Sequence, residues 1–270
     1  MTPPTSSTLE TQALTRRFGD FTAVDRLGIT VDAGEVFGLL GANGAGKTVT
    51  LKMLTTLLPP TSGNAWIAGH DIRRHAADVR RVIGYVPQLI SADGALTGRE
   101  NLLIFAKLYD IPRRDRASRI HDALVFMDLD DVADKLVRNY SGGMIRRLEI
   151  AQSMLHRPRV LFLDEPTVGL DPVARAAVWE HVERLRREFG TTIVLTTHLM
   201  EEAESLCRRV AIMHRGRVMV VGTPEELKLS IGGAATTMND VFAHYAEGAV
   251  EAGGTYRETA QTRRTSRRLG

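Results

Sequence analysis

The chain has 270 residues, 43% hydrophobic and 25% charged, which supplies enough apolar material for a sizeable buried core. Its 35 basic and 32 acidic side chains nearly cancel, and that balance excludes a protein built to bind nucleic acid over its whole surface. The single cysteine, Cys207, excludes an internal disulfide, and no apolar run approaches the length that crosses a bilayer. A reducing compartment is the simpler setting for one thiol, with Cys207 expected to be buried and inert in the run ESLCRRVAIM. The opening MTPPTSSTLE lacks the basic and apolar regions of a signal peptide, so a soluble intracellular protein is expected, with any membrane role exerted through a partner.

In chain order, residues 1–8 are rich in Pro, Ser and Thr and are expected to fray. EVFGLL (35–40) is a short apolar run suited to a buried strand. GANGAGKT, Gly41 to Thr48, follows it and fits G-x-x-x-x-G-K-[ST], with a helix expected over 47–57. The residue types match the chemistry. Glycines let backbone N–H groups converge on phosphate oxygens, and the helix N-terminus adds positive potential. Lys47 reaches the β- and γ-phosphates, and the Thr48 hydroxyl is a candidate Mg²⁺ ligand. Gly41, Asn43, Gly44, Ala45, Gly46, Lys47, Thr48 and Val49 are the candidate phosphate-binding set. Gln88 ends a second short run, IGYVPQ.

Residues 97–156 are mostly helical in pattern, with no clear strand, and look like an all-helical insertion between two parts of an α/β sheet. RRDRASR (113–119) reads as a solvated helix face. Within NYSGGMIRRLEIAQSML (139–155), apolar residues from Met144 on recur at helical spacing, yet Gly142 and Gly143 occupy the first turn, where glycine weakens a helix. Either the pair is a loose linker, or something approaches the amides at that helix end.

RVLFLDEP (159–166) is an apolar run ending in two acids. Asp164 stands where a P-loop enzyme keeps its metal-side carboxylate, and Glu165 is placed to polarise an attacking water. The alternative is an Asp-Glu-Pro turn capping the next helix. A helix is expected over 172–190 with a stop at Gly190, then a strand TTIVLTT (191–197) followed directly by His198. Strand–helix–strand order with apolar strands points to a parallel sheet covered on both faces, with ligands beyond the carboxyl ends of the strands. VAIMHRGRVMVVGT (210–223) reads as a hairpin around Arg215-Gly216. From Gly232 the periodicity weakens, apart from MNDVFAHY (238–245), and the last fourteen residues carry five arginines.

Taken together, Phe18, GANGAGKT, Gln88, SGG at 141–143, LFLDE at 161–165, GLD at 169–171 and His198 resemble, in order, the elements of ABC transporter nucleotide-binding subunits. The resemblance covers roughly residues 9–230. It implies a P-loop NTPase (RecA-like) core with a β subdomain and an inserted helical subdomain at about 90–156, followed by a C-terminal extension, 231–270, with a basic tail. By that resemblance the cofactors are ATP and Mg²⁺, the latter held by Thr48, Gln88 and Asp164. Glu165, His198 and Gln88 are the implied catalytic residues. Phe18 stacks on adenine, Ser141, Gly142 and Gly143 contact the γ-phosphate of a nucleotide held on a second subunit, and Asp171 faces that subunit. The implied partners are a second copy of the chain and a separate integral membrane permease, with the chain peripheral on the cytoplasmic membrane face and no specific nucleic acid. Val49 stands where the family usually has a second hydroxyl residue, and Arg208 where an aspartate is commoner. Met144 replaces the usual Gln and is not expected to close a capping box with Ser141. Tyr-Ser-Gly-Gly-Met, YVPQ, TTHLMEEAE and MNDVFAHY resemble the drug- and antibiotic-exporter ATPases of the daunorubicin-resistance type. The competing readings are a non-transport ABC ATPase acting on nucleic acid or the ribosome, and an importer ATPase.

Overall fold

The structure is a computed structural model that describes residues 7–232 and 236–251. The chain opens with strands β1 (Ser7–Phe18), β2 (Phe21–Leu27), β3 (Thr30–Asp32) and β4 (Val36–Leu40), then helix α1 (Lys47–Leu54). Strands β5 (Ser62–Ile67) and β6 (His70–Asp71), helix α2 (Ala76–Val82) and strand β7 (Ile83–Val86) follow. Three helices come next, α3 (Gly98–Leu108), α4 (Arg113–Phe126) and α5 (Gly142–Met154). The remainder is β8 (Val160–Asp164), α6 (Pro172–Phe189), β9 (Thr192–Thr197), α7 (Met200–Leu206), β10 (Arg209–His214), β11 (Arg217–Gly222), α8 (Pro224–Ile231) and α9 (Met238–Glu251).

The central sheet runs β11-β10-β4-β9-β8-β7, parallel except for the antiparallel edge pair β10–β11. Every residue of β4, β8 and β9 is buried, as strands covered on both faces require. Side-chain alternation divides the core in two. Val36, Leu40, Leu161, Leu163, Ile193 and Leu195 face the helical side with Leu102, Leu124, Leu148 and Val182. Phe37, Leu39, Val160, Phe162 and Val194 face the opposite side, against Leu51 of α1 and Leu9, Leu14, Val24 and Ile67 of a second sheet. That second sheet is antiparallel, ordered β2-β1-β5-β6 with β3 also paired to β1.

Element ends follow local chemistry. Helix α3 starts with a Thr97–Glu100 capping box. Helix α6 is capped by Asp171, which accepts from the Val173 and Ala174 amides, carries Pro172 at its first position and stops at Gly190 in the left-handed region. Helix α1 begins at Lys47 as expected but ends at Leu54, three residues short of the expected 57, and Thr56 beyond it turns left-handed at φ 61°. Fraying through residue 8 is also corrected: Ser7 opens β1 and pairs with Asp32, and Leu9 pairs with Val31 and Ile67. The 113–119 run lies on α4 and is mostly exposed, with Arg116 and Arg119 satisfying the carbonyls of Ile111 and Leu155. Helix α9 packs through buried Met238 and Val241. The arginine-rich end of the tail lies outside the described residues.

Cys207 is buried, and burial, reinforced by the Glu202 and Glu35 carboxylates, pushes its thiol well above the ordinary range. Native protein at pH 8 should therefore resist iodoacetamide, and denaturant should expose one equivalent of reactive thiol. Fast alkylation of native protein would contradict that burial.

Candidate nucleotide-binding site

Strand β4 delivers the chain into a loop that ends on the first turn of α1. Gly46 makes that loop possible. Its φ is +101°, and a Cβ there would come within 2.6 Å of the Ala23 carbonyl oxygen. The loop is thus pressed against β2 and against the β10–β11 turn, where the Gly216 amide donates to the Ala45 carbonyl at 3.0 Å. Asn43 and Gly44 are exposed, Ala45 is buried, and Val49 packs into the core beneath the antiparallel sheet. A hydroxyl at 49 is therefore replaced by apolar packing.

Lys47 is 4% exposed, and its Nζ donates to the Gly41 and Ala42 carbonyls at 2.7 and 3.2 Å. A buried ammonium needs a counter-charge, and Glu165 Oε1 supplies it at 3.1 Å. Glu165 is itself 4% exposed. Its other oxygen, Oε2, accepts from Gln88 Nε2 at 3.3 Å and lies 3.2 Å from His198 Nδ1. The ends of β4, β7, β8 and β9 thus converge on one carboxylate. Glu165 has φ 48°, a left-handed conformation costing a non-glycine residue about 1 kcal/mol. Two bonds hold it there, from its amide to the Thr196 carbonyl and hydroxyl at 3.1 and 3.0 Å.

One residue earlier, Asp164 is 1% exposed, and its Oδ1 accepts from Thr48 Oγ1 at 3.1 Å and from Thr196 Oγ1 at 2.6 Å. Strand β9 lies between β4 and β8, and Thr196 on it bridges the gap. Burial and the Asp164 charge push the nearby Tyr85 hydroxyl up to about 12, so that phenol stays neutral beside the carboxylate. Thr48 and Asp164 supply two convergent oxygen donors, a set that fits Mg²⁺, which takes few protein ligands and keeps water and phosphate oxygens.

Ser141 opens α5 as its N-cap, with its hydroxyl accepting from the Met144 amide at 3.3 Å. The expectation that Met144 closes no box is corrected: its sulfur accepts from the Ser141 amide at 3.5 Å. A thioether is a weak acceptor, so the box closes weakly. Gly143 is where α5 meets α6, because a Cβ there would lie 2.9 Å from the Ala174 Cβ. The α5 start is thereby seated beside the 169–171 segment, with Leu170 Cδ2 3.2 Å from the Cβ position of Gly142. Phe18, at the end of β1, is 46% exposed, and the Arg16 guanidinium lies 4.5 Å from its ring centre. Sequence reasoning passed over Thr196, Arg146 and Glu149. A threonine following the apolar run Ile193–Leu195, and two charges on what proves to be the buried face of α5, were the available signals.

A phosphate loop between a buried parallel strand and a helix, with its threonine bonded to the terminal aspartate of a strand one further across, defines a P-loop ATPase domain. The sequence profile of the family described as ABC transporter matches residues 24–168. The chain belongs to the ABC transporter family, as one of its ATPases. It is similar to the daunorubicin resistance ATP-binding protein DrrA3 of Streptomyces coeruleorubidus, 46% identical over 218 residues that cover 81% of this chain and 69% of the relative. It is also similar to the phospholipid-transporting ATPase ABCA3 of Homo sapiens, 47% identical over 78% of this chain but only 12% of that much longer protein. Among solved structures, one titled as the ATP binding subunit of an ABC transporter matches with a TM-score of 0.78 and 28% identity, covering 88% of this chain and 99% of that one. Among the described residues, no helix is long and apolar enough to cross a membrane.

Proposed function

We propose that the chain is the motor of a drug or hydrophobic-compound exporter, acting as a pair of copies on the cytoplasmic face of a membrane beneath a separate permease. The observation that carries the reading is the Glu165 carboxylate. It sits among Lys47, Gln88 and His198, one residue past the Asp164–Thr48 pair. The likeness to DrrA3, named for daunorubicin resistance, supports the export assignment.

In this reading ATP enters with its adenine on the exposed face of Phe18 and its triphosphate over the amides from Gly41 to Thr48. Lys47 exchanges Glu165 for the β- and γ-phosphates. Thr48, Asp164 and Gln88 would hold Mg²⁺, which would supply charge neutralisation to the phosphates. Glu165, released from Lys47, accepts a hydrogen bond from the attacking water and draws off its proton as the water oxygen bonds to the γ-phosphorus and the bond to the β–γ bridging oxygen breaks, so that ADP leaves. His198 donates to the γ-phosphate. Ser141, Gly142 and Gly143 present a helix start bare of side chains to the γ-phosphate on the other copy, and Asp171 lies beside that contact. ATP then joins the two copies, and phosphate release lets them part.

The test uses full-length protein. It should release phosphate from Mg-ATP, and Lys47→Ala should lower ATP affinity at least about tenfold through loss of the buried cation. Inside-out vesicles containing the chain and the permease that copurifies with it should accumulate daunorubicin only with ATP. ATP hydrolysis without any transport in such vesicles would remove the export assignment.

A further inference from the structure

Helix α5 carries its polar residues on the wrong side for a solvated face. Arg146 is 6% exposed, Glu149 1%, Gln152 1% and Ser153 3%. Spaced at three, three and one, they share one stripe of the helix. That stripe is fastened to the segment after β7. Arg146 Nη1 and Nη2 donate to the Pro87 and Gln88 carbonyls at 2.8 and 3.1 Å. Glu149 Oε1 accepts from the Ser91 amide, and from its hydroxyl at 3.0 Å. Arg146 Nη1 and Glu149 Oε2 pair at 3.0 Å. Ser153 donates to the Tyr85 carbonyl at 3.1 Å. Gln152 reaches the same segment indirectly, donating to Asn101 Oδ1 at 3.3 Å, which also accepts from the Asp93 amide at 2.9 Å.

We propose that Arg146 and Glu149 are positioning residues that bolt the Gln88 loop to α5, so that the glycine-bare start of α5 and the Gln88–Glu165 contact move as one body. The inference rests on the two-copy reading above for the role of Ser141, Gly142 and Gly143. Its physical basis is cost. A buried charged pair is rarely kept for stability alone, because well-packed apolar groups of similar volume usually serve as well or better. Here both charges spend their hydrogen bonds on the backbone of one short loop that side chains of the catalytic set depend on. A shift at either end of α5 is thereby transmitted to the loop. A copy whose α5 start is seated on its partner's nucleotide thereby has its own Gln88 loop fixed along with it.

The test separates positioning from packing. Glu149→Leu alone leaves a buried, unpaired guanidinium and should lower the thermal midpoint. Arg146→Met with Glu149→Leu fills the same space with apolar groups and should restore the midpoint. In the double variant kcat should remain down about tenfold or more, with KM for ATP within about twofold of wild type, since a misplacement of about 1 Å has effects of that size. Hydrogen exchange in peptides covering 86–92 should rise about tenfold while peptides covering 98–108 stay unchanged. Glu149→Gln, near in shape and still able to accept from the Ser91 amide, should recover part of kcat. A double variant with wild-type kcat and unchanged exchange at 86–92 would overturn the proposal and reduce the pair to core filling. Wild-type protein without ATP turnover would sink the ATPase reading instead, and the exchange comparison, which needs no turnover, would still decide the tether.

Discussion

Glu165→Gln should lower ATP turnover about a thousandfold, the usual weight of a positioned general base, while leaving ATP binding intact or tighter. The geometry gives both halves of that expectation. The carboxylate touches Lys47, Gln88 and His198 together. Replacing it with an amide removes the base but keeps a side chain of the same shape, still able to meet Gln88. Binding is spared because Glu165 also competes with ATP: its 3.1 Å pair with Lys47 occupies the ammonium that phosphate requires. A neutral amide competes less. Titration with a fluorescent ATP analogue and single-turnover phosphate release separate the two effects. Turnover within about tenfold of wild type would remove Glu165 as the base.

Ser141→Arg should cut turnover about a hundredfold, comparable to losing a preorganised donor, yet leave ATP binding by the isolated chain unchanged. Ser141 and Gly142 are exposed at the start of α5. The hydroxyl's bond to the Met144 amide is local and weakly reinforced by the thioether, so the fold tolerates its loss at a cost of about 1 kcal/mol. A bulky cation at that end can harm only what another molecule brings to it. Equilibrium ATP binding measured beside turnover checks this. Reduced ATP affinity in the isolated variant would place the α5 start in the chain's own pocket.

Some of this was legible in the sequence because one force decided it. β4 and β8 are apolar at nearly every position, and β9 carries the apolar run Ile193–Leu195, so burial on both faces leaves no other assignment. The 210–223 hairpin turns at Arg215-Gly216, where both residues take positive φ. The strands of the antiparallel sheet were not legible from periodicity, and only the family resemblance supplied a β subdomain. β1 is the strand around which it is built, yet its alternation breaks where register shifts follow Gln12 and where Ala13 turns left-handed. β5 opens with Ser-Gly-Asn, which reads as a turn, and is held by pairing to β1. Within the site, Lys47, Thr48, Asp164 and Glu165 were found from spacing, but the bridging role of Thr196 was not, since a hydroxyl on a strand carries no periodic signal. Arg146 and Glu149 were missed for a physical reason. Charges on a helix are assigned to water by default, and only the backbone they bind reverses that default.

The central claim is that each triphosphate is enclosed by two copies of the chain. Light scattering on purified Glu165→Gln, with and without Mg-ATP, tests it most directly. The account predicts the mass of one chain without nucleotide and twice that mass with it, and only one-chain mass when Ser141→Arg is added. A protein that binds ATP and keeps the mass of a single chain would contradict it.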